Sequence, residues 1–305
     1  MNMITLHLCL LVNHLWCEIS VRIIWRNTHN YNIINLCTLI ACLPTESKEI
    51  LSKNGLNIPL TLKLLFDYAS FCKVLSFDRI YYKLEEFLKF ISLENFRDYT
   101  YLLSQELFKL FFNQIHSLKR LELCNNSRLV FNLYPGAKYC LKDLSELHCN
   151  SYISSEFFYQ LSQICNNILS LDFISSDLFI SKGLIDLIST QKNLKCLSIY
   201  LQMNSDGDLK NIISSLANPN KISKLCFDTE IHYSSLSFIA EFSNLQELEL
   251  IFPTSDSFTD FKKLQYAFFP KLQILKIQSA CPKYGILIKF LENNGKHLRE
   301  CYICN

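Results

Sequence analysis

The feature that most constrains this chain is a hydrophobic phrase, L-x-x-L-x-L, that returns from the middle of the sequence to its end. It reads Leu118-Leu121-Leu123, Leu144-Leu147-Cys149, Ile168-Leu171-Phe173, Leu194-Leu197-Ile199, Ile222-Leu225-Phe227, Leu245-Leu248-Leu250, Leu272-Leu275-Ile277 and Leu298-Cys301-Ile303. The steps between first positions are 26, 24, 26, 28, 23, 27 and 26 residues. So narrow a period through eight copies implies one structural unit repeated along the chain. Alternate apolar residues inside each copy imply a strand with one buried face. The segments Glu156–Cys165, Lys182–Gln191, Asp208–Ala217, Ser235–Phe242, Phe258–Phe268 and Tyr284–Asn293 carry helical spacing between copies.

Phrase and period together resemble the leucine-rich repeats. Cys or Asn after the strand, as in Cys124-Asn125 and Cys149-Asn150, resembles their cysteine-containing class. The resemblance implies an α/β horseshoe with a parallel sheet on the concave face and helices on the convex face. Three zones are expected: 1–30, a short segment holding both tryptophans, Trp16 and Trp25; 31–116, mostly helical, a linker or N-terminal cap; and 117–305, the repeat array. In the second zone Ile33–Leu43 should end at Pro44 and Thr45–Lys53 at Asn54-Gly55. Leu60–Ala69 and Ser104–Ile115 also read as helices. Cys72-Leu75-Phe77 matches the strand phrase as a degenerate ninth copy, 46 residues before the next, a gap that would hold a long or doubled insertion.

In the first zone, Leu8-Cys9-Leu10-Leu11-Val12-Asn13-His14-Leu15-Trp16-Cys17 and Ile23-Ile24-Trp25 resemble the second half of an F-box. Leu11, Val12, Trp16, Ile24 and Trp25 occupy the matching positions. The resemblance implies that these residues bind a Skp1-like adaptor. Two departures stand out. His14 replaces the usual Arg or Lys. The family's opening L-P-x-E helix would lie about 20–30 residues before Trp16, earlier than Met1, so either the start is lost or Skp1 binding is lost. Leu43-Pro44-Thr45-Glu46 spells that motif, but no Trp follows it at the family's spacing. The combination resembles the F-box/leucine-rich-repeat family, especially its fungal expansions. It implies a substrate-recognition adaptor of a Skp1–cullin–F-box ubiquitin ligase. The alternative is a repeat scaffold that no longer binds Skp1.

Composition bounds the rest. The net charge of +2 gives no global field for nucleic acid or an acidic membrane, and neither is expected as a partner. Fourteen cysteines are scattered, several on strand positions (Cys124, Cys149, Cys196, Cys226, Cys301), which favours packed thiols in a cytoplasmic or nuclear protein over a disulfide framework. The apolar stretch Ile4–Val12 lacks the basic start and cleavage site of a signal peptide. No catalytic or metal-binding constellation stands out, so neither an enzyme nor a cofactor is expected. Cys301-x-x-Cys304 has no second pair, and Asp206-Gly207-Asp208 lacks the calcium-loop pattern. Gly183 and Gly207 are expected at repeat turns.

Strand alternation nominates the residues of the concave stripe. They include Glu122, Glu146, Asp172, Tyr200, Asp228, Glu247, Glu249, Lys276 and Tyr302. With Glu300 the acids number seven, against Arg120, Lys224 and Lys276. Such a face would suit a protein substrate presenting a basic segment, with Tyr200, Tyr302, Ile174, Ile251 and Ile274 as anchors. The other reading is that these are ordinary solvated positions on a sheet whose loops do the binding.

Overall fold

The computed structural model describes residues 3–56, 65–91, 95–123, 134–175, 180–202, 206–230 and 236–303. The chain divides into two compact units, residues 1–123 with 130–144, and residues 124–129 with 145–305. Cys124, Asn125, Cys304 and the first half of Leu60–Ala69 lie outside the described residues.

The first unit opens with helices α1 (Met3–Cys9) and α2 (His14–Ile24). The Asn13 side chain caps α2 by accepting from the Trp16 amide at 3.0 Å. Helix α3 (Ile33–Ala41) starts from a reciprocal box between Asn32 and Asn35 and stops before Pro44. Helix α4 (Thr45–Lys53) closes at Gly55, whose φ of 87° is the left-handed conformation that glycine adopts cheaply. The described end of the Leu60–Ala69 segment is not α-helix; a 3-10 turn covers Tyr68–Phe71. Strand β1 (Val74–Ser76) then lies on the degenerate phrase and pairs in parallel with β2 (Arg120–Leu123). The 46-residue gap holds two helices, α5 (Phe77–Phe90) and α6 (Phe96–Gln114). Cys72, Leu75 and Phe77 are buried, so the weak phrase does core work. Helix α7 (Ala137–Leu141) completes this unit, and Gly136 ahead of it is required: a Cβ there would stand 2.3 Å from the Phe112 carbonyl oxygen.

The second unit is a succession of strands and connecting segments. Strand β3 (Glu146–Asn150) leads to α8 (Ser155–Ser162), β4 (Ser170–Ser175) to α9 (Lys182–Thr190), and β5 (Cys196–Leu201) to α10 (Asp206–Ser215). Then come β6 (Lys224–Thr229), β7 (Glu247–Ile251), β8 (Ile274–Gln278), α11 (Tyr284–Asn294) and β9 (Glu300–Ile303). These seven strands pair in chain order, all parallel, and the leucine positions stand opposite one another at every step. From Leu144 to Ile277 each apolar position of the phrase is no more than 3 % exposed.

Two segments expected as helices, Ser235–Phe242 and Phe258–Phe268, are instead 3-10 turns in their described parts, at Ser237–Glu241 and Ser255–Lys263. The first sits in the shortest repeat, with few residues to cross the outer side. The second is rich in Ser, Thr and Asp, whose side chains compete for nearby backbone, as the Thr259 hydroxyl does for the Asp256 carbonyl. Phenylalanines fill the space that full helices would occupy. Phe227, Phe252, Phe258, Phe261 and Phe290 follow one another with ring centroids 4.5–5.8 Å apart.

Neighbouring repeats are also stitched by amides. Buried Gln191 donates to the Cys165 carbonyl at 2.8 Å and accepts from the Ile168 amide at 2.8 Å. Buried Asn294 donates to Ala267 at 2.9 Å and accepts from Phe269 at 2.6 Å. On the surface, Asn193 donates to Asn167 and accepts from Lys221, and Asn244 donates to the Asn220 carbonyl. Gly183 lies inside α9 rather than at a turn. Its amide bonds the Ser155 hydroxyl at 2.9 Å, and a Cβ would meet the Ser155 carbonyl oxygen at 1.9 Å. Gly207 likewise falls inside a helix, α10.

Candidate functional site: the open face of the second-unit sheet

With the leucines turned inward, the intervening side chains of β3–β8 form three rows across the sheet. The first row runs Glu146, Ser170, Cys196, Lys224, Glu247 and Ile274. The second runs His148, Asp172, Ser198, Cys226, Glu249 and Lys276, with Tyr302 of β9 beyond. The third runs Asn150, Ile174, Tyr200, Asp228, Ile251 and Gln278. Parallel strands about 4.8 Å apart bring each row into van der Waals and hydrogen-bonding reach.

The charges are partly spent within the face. Glu247 accepts from Lys276 at 2.9 Å and pairs with Lys224 at 3.1 Å. Burial alone would raise its carboxyl, but the two lysines outweigh burial and hold it below the ordinary range. The hydrogen bond to Glu247 in turn raises Lys276. Glu249 accepts from Gln278 at 2.6 Å and lies 3.9 Å from Lys276. Asp172 stands 3.6 Å from the His148 ring. The seven-to-three tally therefore hides an uneven field, because two of its three bases close on one glutamate and leave the other acids less offset.

Asp228 is the exception. Burial raises its carboxyl, and Glu230 and Glu249 raise it further. Beside it Tyr200 is pushed up to about 12, first by burial and then by Cys226 and Asp172. Two of its neighbours in the open rows, Cys226 and Ser198, are only 5 % and 8 % exposed. Burial pushes Cys226 itself up to about 12, which keeps it a thiol.

Two nominated positions behave differently. Glu122 belongs to the first unit and is 7 % exposed, held by the His29 ring at 2.6 Å and the Arg120 guanidinium at 2.7 Å. Burial would raise its carboxyl, but His29 and Arg120 together hold it below the ordinary range. It is a packing ion pair rather than part of an open face. In β9 the whole strand is more exposed than its predecessors. Cys301 stands opposite Leu275 yet is exposed, which corrects its reading as a core substitute, and Tyr302 is open to solvent.

The tryptophan segment splits into two groups. Ile24 and Trp25 are buried, and Trp25 packs between the Tyr31 and Tyr68 rings with centroids 5.2 and 4.7 Å away. Leu11, Val12 and Trp16 are 84, 63 and 47 % exposed. Leu8, Leu15 and Ile19 are also exposed, so α1, α2 and the turn between them present many apolar side chains to solvent.

Among the described residues no group of three metal-ligating side chains occurs, no cysteines are joined, and no helix is long and apolar enough to cross a membrane. No protein-family model matches the chain, and no curated protein matches it.

Proposed function

We propose that this protein is a protein-binding adaptor of the F-box/leucine-rich-repeat kind. The apolar surface of α1–α2 docks a Skp1-like partner, and the open rows of the second-unit sheet, taken as the concave face of a leucine-rich-repeat horseshoe, hold a protein substrate. The observation that carries this reading is the exposure of Leu11, Val12 and Trp16 on a segment anchored by buried Ile24 and Trp25. A large apolar surface on a soluble unit costs solubility unless a partner covers it. The adaptor breaks and makes no bonds; it contributes proximity.

The substrate end centres on Asp228, Glu249 and Tyr200 rather than on the whole acidic stripe. A lysine or arginine brought beside Asp228 would favour its ionised form. Affinity for a basic peptide is thus expected to rise as pH climbs through the raised Asp228 value. Asp228→Asn should flatten that rise.

Size-exclusion chromatography of the full chain with a purified Skp1-like protein tests the docking end. Co-elution with the wild type, lost in Leu11→Asp/Val12→Asp, is expected. A wild type that elutes alone would discard the ubiquitin-ligase reading and leave a repeat scaffold without Skp1 binding.

A further inference from the structure

We propose that the first unit carries a binding cleft for a small ligand bearing a diphosphate group. A cleft of about 640 Å³ opens there, within the range of small-molecule sites. Its lining holds four cations, Arg22, Arg26, Lys73 and Lys119, and a single carboxylate, Asp67. The chain as a whole is nearly neutral at +2, so this concentration is local.

Backbone pairing fixes three of these cations in a row. The amides of Lys73 and Val74 both donate to the Arg26 carbonyl, at 2.8 and 3.0 Å. One strand further on, the amides of Lys119 and Arg120 both donate to the Lys73 carbonyl, at 2.9 and 3.0 Å. Arg26, Lys73 and Lys119 therefore occupy equivalent positions on three adjacent backbone segments, spaced about 4.8 Å apart, so the row is roughly 10 Å long. Like charges held side by side across paired strands destabilise a fold unless an anion offsets them.

For Arg26 and Lys73 the described residues supply little of that offset. Arg26 has no ion pair among the described residues. The Lys73 ammonium donates to a neutral acceptor, the Ser117 carbonyl, at 2.9 Å. Arg22 is paired with Glu18 at 2.8 Å and lies 5.3 Å from the centre of the Phe71 ring, which fixes its guanidinium at the cleft wall. His116 adds a ring nitrogen to the lining.

The chemistry selects the ligand class. Guanidinium forks bind phosphate oxygens in pairs, and ammonium groups add point charge. Several cations gathered in one recess suit linked phosphate groups, with their greater charge, better than a single phosphate. The recess is local, about 640 Å³ bounded by a few side chains, whereas a polymer needs an extended groove tracking its backbone.

Calorimetric titration of the full chain with sodium pyrophosphate at constant ionic strength tests this. One saturable site is expected in the wild type, with orthophosphate weaker. Arg26→Gln and Lys73→Gln should each weaken pyrophosphate by about tenfold or more. Lys263→Gln, whose partner Asp260 lies in the other unit, should change nothing. Arg26→Lys, which keeps the charge but loses the fork, should bind more tightly than Arg26→Gln and guards against a folding artefact. No saturable heat in the wild type, or equal weakening by Lys263→Gln, overturns the proposal. So does a single-stranded oligonucleotide that binds through Arg26 and Lys73 while pyrophosphate does not.

Discussion

The two units solve one problem in different ways. In the second unit each strand is followed by one short connecting segment, and the same apolar positions repeat across the sheet. In the first, β1 and β2 are separated by two long helices, and the fold relies on particular contacts. Trp25 wedges between two tyrosines. The Tyr31 hydroxyl donates to the Trp25 carbonyl at 2.7 Å. Glu122 ties His29 to Arg120. Periodic packing makes a unit whose repeats share their tasks. Aperiodic packing concentrates them in single residues, and it leaves room for features that a repeat does not provide, such as the basic cleft.

Substitutions can strain this contrast, beginning with the largest effect. Gly183→Val forces a branched side chain against the Ser155 backbone and should cost about 3 kcal/mol or more, read as a fall in the thermal midpoint. An equal loss from Gly136→Val would show that both units depend on one close backbone approach. Asn294→Ala strips a buried partner from the Phe269 amide and from two carbonyls, and should cost about 2 kcal/mol in denaturant titration. A negligible loss would mean that shared packing, not the amide stitch, joins the repeats.

Glu122→Gln should cost about 1 kcal/mol at neutral pH, since its partners are partly exposed. The sign with pH is fixed by the lowered carboxyl. Its contribution is complete above the ordinary carboxylate value and disappears as pH falls through the folded value, so wild type and variant should converge in acid. A gap that widens in acid would contradict the ion pair. Lys276→Ala, on the open face, should cost about 0.5 kcal/mol or less.

The second unit was legible because its signal is periodic. The leucine phrase placed β3–β8 with their buried and open rows, and helical spacing over Glu156–Cys165 and Lys182–Gln191 placed α8 and α9 to within a few residues. In the first unit, Pro44 and Asn54-Gly55 punctuate the chain and placed α4 at Thr45–Lys53. What escaped depends on contacts across the repeat. Gln191 and Asn294 look like ordinary polar residues until their amides are seen closing on the previous repeat. The role of Gly183 depends on how near Ser155 comes. The 3-10 turns reflect a shortage of residues and of helix formers, to which apolar spacing is blind. On the open face, the sequence could count acids, but not that Lys224 and Lys276 converge on Glu247. In the first unit, Lys73 and Lys119 each follow the first position of a phrase, but Arg26 belongs to no copy of it, so the row of three was hidden.

The central claim is that one alternation separates core from binding face, and neighbours on β7 test it most directly. Leu248 is fully buried, whereas Glu249 lies on the open face. Denaturant unfolding of Leu248→Ala and Glu249→Ala measures both. The account predicts a loss of about 3 kcal/mol for Leu248→Ala and about 0.5 kcal/mol or less for Glu249→Ala. Similar losses from the two, or the larger loss from Glu249→Ala, would contradict it.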